Sequence, residues 1–173
     1  MITDSALDFL ARRMRLLGYD IVTVRGARLE ELFEAARREG RMVLRLSPRH
    51  PRRYADVASL AVPREDPEAA LRGIAAAFEP AGPPFSRCPV CNTALERRHP
   101  VEARGEVPGR VLRSGSGLSH CPGCGKWYWE GSHVERMRAW LERVLGRPLT
   151  PSAPDRGASG APPGEPPGEP KVS

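Results

Sequence analysis

Four cysteines stand in two pairs, Cys88-Pro89-Val90-Cys91 and Cys121-Pro122-Gly123-Cys124, and they are the only cysteines in 173 residues. Each pair holds two sulfurs on one tight turn, and two such turns complete a tetrahedron around a cation. Asn92 and Gly125 directly follow the second cysteine of each pair. Both residue types accept the positive φ that such a knuckle needs. The pattern predicts one metal ion bound by Cys88, Cys91, Cys121 and Cys124 in a zinc ribbon. Zn2+ is the expected ion, and a four-sulfur shell with no open position makes its role structural; iron suits the same ligands in a rubredoxin-like site. His99, His120 and His133 lie nearby in sequence. Four thiolates leave none of them needed, so capping or solvent-exposed roles are expected for them.

No apolar run reaches bilayer-spanning length, and the first residues lack the basic, apolar and small-residue order of a secretory signal. The chain therefore reads as cytoplasmic, with no membrane partner. In that compartment thiols stay reduced, which favours metal over disulfides.

The elements that must position these groups follow from periodicity. Residues 1–84 alternate short β-branched or apolar runs with helical stripes, the pattern of an α/β domain with a parallel sheet and flanking helices. A first strand is expected at Met1–Thr3. A helix follows with Leu7, Leu10, Ala11, Met14 and Leu17 on one face and Gly18 at its left-handed end. Ile21–Val24, Met42–Leu46 and Ala58–Val62 read as further strands. A second helix carries Leu29, Leu32, Phe33 and Ala36, with Glu30 and Glu31 suiting its amino end and Arg37 and Arg38 its carboxyl end. Asp66-Pro67 opens a third helix as N-cap and first-turn proline.

Residues 85–131 read as turns and hairpins around the cysteines with little core of their own. Ser132-His133-Val134-Glu135 fits a capping box before a final amphipathic helix. From Arg147 the chain is rich in Pro, Gly and Ser, a composition that buries too little apolar area to offset its ordering entropy. The expected organisation is an α/β domain over 1–82, a zinc ribbon with its carboxyl-terminal helix over 85–146, and a disordered tail over 147–173.

The net charge is +6. Residues 85–146 hold ten basic and six acidic side chains, or +4, although four thiolates around a divalent ion bring that segment down to +2. Lys126 and several arginines accompany Trp127, Tyr128 and Trp129, the combination that holds single strands by stacking and phosphate pairing. Arg49, His50, Arg52 and Arg53 form a second basic group after the third strand. A solvated loop and a core role for any one aromatic are the plainer alternatives.

The segments from Phe9 to Asp20, Pro84 to Asn92 and Tyr128 to His133 together resemble the Mut-seven C-terminal RNase family. The resemblance runs from about Ile2 to Leu145, with its motifs densest in the ribbon. It implies a PIN-like nuclease fold fused to a zinc ribbon, acting on single-stranded RNA through carboxylates that hold Mg2+ or Mn2+. Such a cation neutralises the scissile phosphate and lowers the pKa of the attacking water. Carried onto this chain, the catalytic acids are Asp4, after the first strand, with Glu30 and Glu31 at the start of the second helix. The contact residues expected for the RNA are Arg49, Arg52, Arg53 and Lys126. Asp20 precedes its strand and belongs to the opposite edge.

The family's Thr-Arg-Asp-like run after strand three is here Arg45-Leu46-Ser47, so Ser47 replaces the third acid. Asp4 has a second reading as a helix cap, and the glutamates as partners of the helix dipole. The resemblance thus admits three roles: a metal-dependent ribonuclease, a catalytically degenerate member that binds RNA, or an adaptor for a protein partner.

Overall fold

A computed structural model describes residues 1–114 and 117–149. Four short strands, β1 (Ile2–Asp4), β2 (Val22–Val24), β3 (Val43–Arg45) and β4 (Ser59–Ala61), form one parallel sheet in the order β2-β1-β3-β4. Helices α1 (Asp8–Leu16), α2 (Leu29–Glu39) and α3 (Pro67–Ala77) connect or follow them. The α/β class expected from the alternation is therefore present.

The two sheet faces are covered by different helices because strand side chains alternate. Leu44 joins Leu10, Met14, Leu71 and Ile74 in a core beneath α1 and α3, while Val43 and Ile2 join Leu32, Phe33 and Ala36 beneath α2. Connections that leave β1 and β3 in opposite directions make the crevice between their carboxyl ends the topological switch point, where open α/β sheets bind ligands.

Several local expectations are met. Gly18 adopts φ +89° after α1, and the Asp66 side chain accepts from the Ala69 amide at 2.7 Å at the start of α3. Asp4 does cap, although what it caps is a single 3-10 turn, Ser5–Leu7, that precedes α1.

The second half departs from expectation in three places. The segment 85–131 has a small core of Ala103, Val107, Val111 and Leu118, built on a 3-10 turn at Pro100–Ala103 and a short helix α4 (Gly109–Arg113). Isolated valines and an alanine gave no periodic signal. This core backs an antiparallel sheet of β5 (Glu96–Arg98), β6 (Leu118–His120) and β7 (Trp127–Trp129). The final helix, α5 (Ser132–Leu145), starts one residue earlier than the capping box predicts, with Gly131 at the cap and no side-chain cap bond. The carboxyl half of α5 packs into the main core, where Leu141 and Val144 are buried with residues of α1 and α3. Leu149 lies inside the expected tail, yet it is buried in the same core, with its amide bonded to Glu142 Oε1 at 3.0 Å. The remainder of that tail, from residue 150, lies outside the described residues. No helix among the described residues is long and apolar enough to cross a membrane.

Candidate functional site

The two knuckles fold by the same rule. The Asn92 amide bonds to the Cys88 carbonyl and the Gly125 amide to the Cys121 carbonyl, each at 2.9 Å. The Cys88 and Cys121 amides in turn reach the carbonyls of Thr93 and Lys126, also at 2.9 Å. Asn92 and Gly125 take φ of +73° and +70°, as their residue types predicted. The four sulfurs lie within 4.8 Å of one another, with Cys88–Cys124 at 3.6 Å and Cys91–Cys121 at 3.3 Å. A tetrahedron with Zn–S arms of about 2.3 Å has edges of about 3.8 Å, so this donor set fits a zinc ion.

Crowding of these sulfurs governs their protonation. Burial, then the Cys91 sulfur beside it, pushes the Cys121 thiol up to about 12. Burial also acts upward on Cys91, but hydrogen bonds from Thr93 outweigh it and draw that thiol down to about 6. Four thiolates this close need a cation to coexist, which is the role the metal fills. The Tyr128 hydroxyl lies 3.1 Å from Cys88 Sγ. Tyr128 is thus the member of the Trp127–Trp129 run that packs under the sulfurs. Trp127 faces the small ribbon core and His120, and Trp129 is 36 % exposed. His99 caps the Pro100–Ala103 turn through Nδ1, and the histidines take no part in the sulfur cluster.

The first knuckle is locked to the parallel sheet by two side chains. Arg15 is buried on α1, and its guanidinium donates to the carbonyls of Pro89 (2.9 Å), Val90 (3.2 Å) and Ile21 (2.9 Å) and to Thr23 Oγ1 (2.7 Å). Asn92 Oδ1 accepts from the Ile21 amide at 3.1 Å, while its Nδ2 donates to Asp20 Oδ1 at 2.6 Å. Asp20 also pairs with Arg41 at 3.0 Å. These contacts gather at the amino ends of the strands, so Asp20 lies at the edge opposite Asp4, as its position before β2 implied. The sequence offered a signal for Asn92 through its residue type after the second cysteine, whereas the role of Arg15 follows from contacts with segments distant in sequence.

The acids expected from the resemblance stand at or after the carboxyl edge of the sheet. Asp4 ends β1 half-buried, and its Oδ1 accepts from the Ala6 amide at 2.9 Å. Glu31 is exposed and turned back onto Arg28, accepting from its amide at 2.9 Å and its guanidinium at 3.1 Å. Those two bonds, the amide's first, hold its carboxyl below the usual range. Glu30 is exposed beside it.

Sequence reasoning missed Asp8 as a further acid at this end. Burial pushes its carboxyl upward, but hydrogen bonds from Arg12 at 2.8 Å and Thr23 at 3.0 Å prevail and leave it lowered. At the end of β3, Arg45 is buried, donating to Ser59 Oγ at 3.0 Å and to the Ser47 carbonyl. Among the described residues, the four cysteines are the only group of three or more potential metal ligands brought together. Asp4, Glu30 and Glu31 are not so gathered. A hard cation such as Mg2+ or Mn2+ takes oxygen ligands and can be held by one or two carboxylates when substrate phosphates complete its shell.

The basic residues Arg49, Arg52 and Arg53 are all exposed in the stretch after β3. The Arg53 carbonyl accepts from Arg37 at 3.1 Å near the far end of α2. His50 belongs to the packing, edge-on to Phe33 at 5.2 Å with ring nitrogens 3.1 and 3.0 Å from the Pro51 and Val57 carbonyls. Lys126 is exposed on the second knuckle.

The architecture and the cysteine cluster agree with a comparison against known families, in which residues 1–141 match the Mut7-C RNAse domain. The chain belongs to that family. No curated protein and no solved structure matches it. Membership places the chain in a nuclease-like group.

Proposed function

We propose that this Mut7-C family protein binds single-stranded RNA through its ribbon half, around a structural Zn2+, and that its carboxyl edge does not cleave the strand. The observation that carries this reading is the dispersal of the acids. Asp4 is occupied as a cap, Glu31 is turned onto Arg28, and Ser47 stands where a third acid would complete a cation site. Phosphoryl chemistry depends on several oxygens and a cation arranged around one phosphate. The binding side of the family's activity keeps its means, a ribbon rich in arginine and aromatic side chains.

The test is incubation of zinc-loaded protein with end-labelled single-stranded RNA and Mn2+, beside an Asp4→Ala control. Retention that weakens with salt, with no cleavage above the control, is expected. Cleavage by the natural chain that disappears in Asp4→Ala would restore the ribonuclease reading, with Asp4 as its metal ligand.

A further inference from the structure

Between the ribbon sheet and the amino half of α5 runs a cleft of about 470 Å³. One wall is a single row across the sheet. Arg97 pairs with Ser119 and Ser119 with Tyr128, so the three share a face, and all of them line the cleft. The opposite wall is the apolar stripe of α5. Leu141 and Val144 of that stripe are buried in the main core, whereas Met137 and Val134, one and two turns earlier, are half-buried and line the cleft. The third wall is the linker at 83–86, which is fixed in place. The Phe85 amide donates to the Leu16 carbonyl at 2.7 Å, Ser86 Oγ donates to the Pro83 carbonyl at 2.6 Å, and the Arg138 guanidinium covers the Phe85 ring at 4.7 Å. Such a groove, aromatic and apolar along its length and already shaped, is the kind that takes a proline-rich strand.

The chain itself carries such a strand. Segment 162–170 reads Pro-Pro-Gly-Glu-Pro-Pro-Gly-Glu-Pro and lies outside the described residues. Proline's fixed φ lowers the entropy lost on ordering, and its missing N–H leaves only carbonyls to satisfy at those positions. Ser119 is half-buried and its hydroxyl has no partner among the described residues, so it can donate to one of them. Charge agrees as well. The walls hold Arg87, Arg97 and Arg138 against Glu130 alone, while segment 162–170 holds Glu165 and Glu169 and no basic residue. Arg97 is exposed, and its side chain forms no ion pair or hydrogen bond among the described residues.

Position favours this occupant over one from elsewhere. Pro84 lines the cleft on one side and, on the other, a smaller pocket shared with Pro148 and Leu149. The last described residue therefore stands just across the linker from the cleft. Residues 150–161 can span up to about 40 Å, whereas α5 rises only about 12 Å from Met137 to Leu145. A tether of that length holds its segment at an effective concentration of about 1 mM.

We propose that the cleft is the docking site of the chain's own segment 162–170, laid as a polyproline II strand along Phe85, Tyr128, Val134 and Met137 with a glutamate paired to Arg97. This goes beyond RNA binding and does not rest on it.

The experiment follows the Met137 methyl group by NMR in zinc-loaded full chain labelled at its four methionines, with Met14 in the main core as the reference. It compares the natural chain with one carrying P162S, P163S, P166S, P167S and P170S. The Met137 resonance should differ between the two while that of Met14 stays put. A synthetic peptide of sequence 162–170 added to the replaced chain should return Met137 to its natural position. If that peptide binds the replaced chain at about 0.1 mM, it should bind the natural chain about tenfold more weakly, because the tethered segment competes at about 1 mM. Arg97→Glu in the replaced chain should weaken the peptide about tenfold. Arg136→Glu, at an exposed position of α5 outside the cleft, should stay within about twofold.

Equal Met137 resonances in the two chains, or equal peptide affinity for both, would overturn the proposal; that comparison leaves every described residue unchanged, so it decides even if Arg97→Glu fails to fold. Equal loss in Arg97→Glu and Arg136→Glu would also overturn it. A natural Met137 position that fades on dilution would replace the chain's own segment with that of a second copy. Oligouridylate that moves Met137 in the replaced chain, where the peptide does not, would hand the cleft to nucleic acid.

Discussion

Asn92 ties the metal knuckle to the parallel sheet, and replacing it tests whether the two halves are energetically one. Asn92→Ala leaves the buried Ile21 amide without the acceptor it has at 3.1 Å, a loss of about 1–3 kcal/mol. It also forces an alanine to hold φ near +73°, which costs roughly 1–2 kcal/mol. Asp20 loses the Asn92 donor but keeps Arg41, so little further cost is assigned there. The expected destabilisation is therefore about 2–5 kcal/mol. Asn92→Gly loses the same hydrogen bonds but adopts the backbone freely, and it should be less damaging than alanine by about 1 kcal/mol. Urea unfolding at fixed excess zinc, followed both by tryptophan fluorescence and by far-ultraviolet circular dichroism, measures both variants. One coincident transition that moves to lower urea is expected, since Arg15 and Asn92 make the knuckle part of the sheet's packing. An Asn92→Ala protein within about 0.5 kcal/mol of the natural chain would refute the reasoning. So would two separate transitions with the sheet's unmoved.

Metal removal should act first on the ribbon. Its own core is only four small-to-medium buried side chains, so a strong chelator is expected to abolish the Trp127 and Trp129 environment while most helical signal survives; an unchanged emission spectrum would contradict this. Gly18→Ala should destabilise by about 2 kcal/mol or more, because Gly18 holds φ +89° and an added methyl would overlap the Gly82 carbonyl; a thermal midpoint equal to the natural chain's would count against it. The Asp20 carboxyl is pushed up by burial but brought below its ordinary value by hydrogen bonds from Arg41 and Asn92. A depressed folded-state pKa adds stability that is present above the unfolded value near 4 and is lost as pH falls through the folded value. Asp20→Asn should therefore flatten the acid limb below about pH 4, read as midpoint against pH, and a limb as steep as the natural one would exclude Asp20 as a contributor.

Read alone, the amino-acid order settled whatever depends on neighbours along the chain. The knuckles are local turns, so Cys-X-X-Cys spacing and the residues after it announced both the sulfur cluster and the positive φ at Asn92 and Gly125. Helical stripes revealed α1, α2 and α3, and the Asp66-Pro67 pair marked where α3 begins. Contacts between distant segments left no such trace. Nothing near Arg15 says that its guanidinium will meet carbonyls seventy-odd residues away, and the valines of the ribbon core have no period to betray them. The acids divide the same way: the capping role of Asp4 was legible because it needs only the next few residues, whereas coordination depends on convergence across strands. Local hydrogen bonds claimed Asp4 and Glu31, and long-range packing set Arg138 of α5 over the ring of Phe85 from two stretches that look unrelated in order.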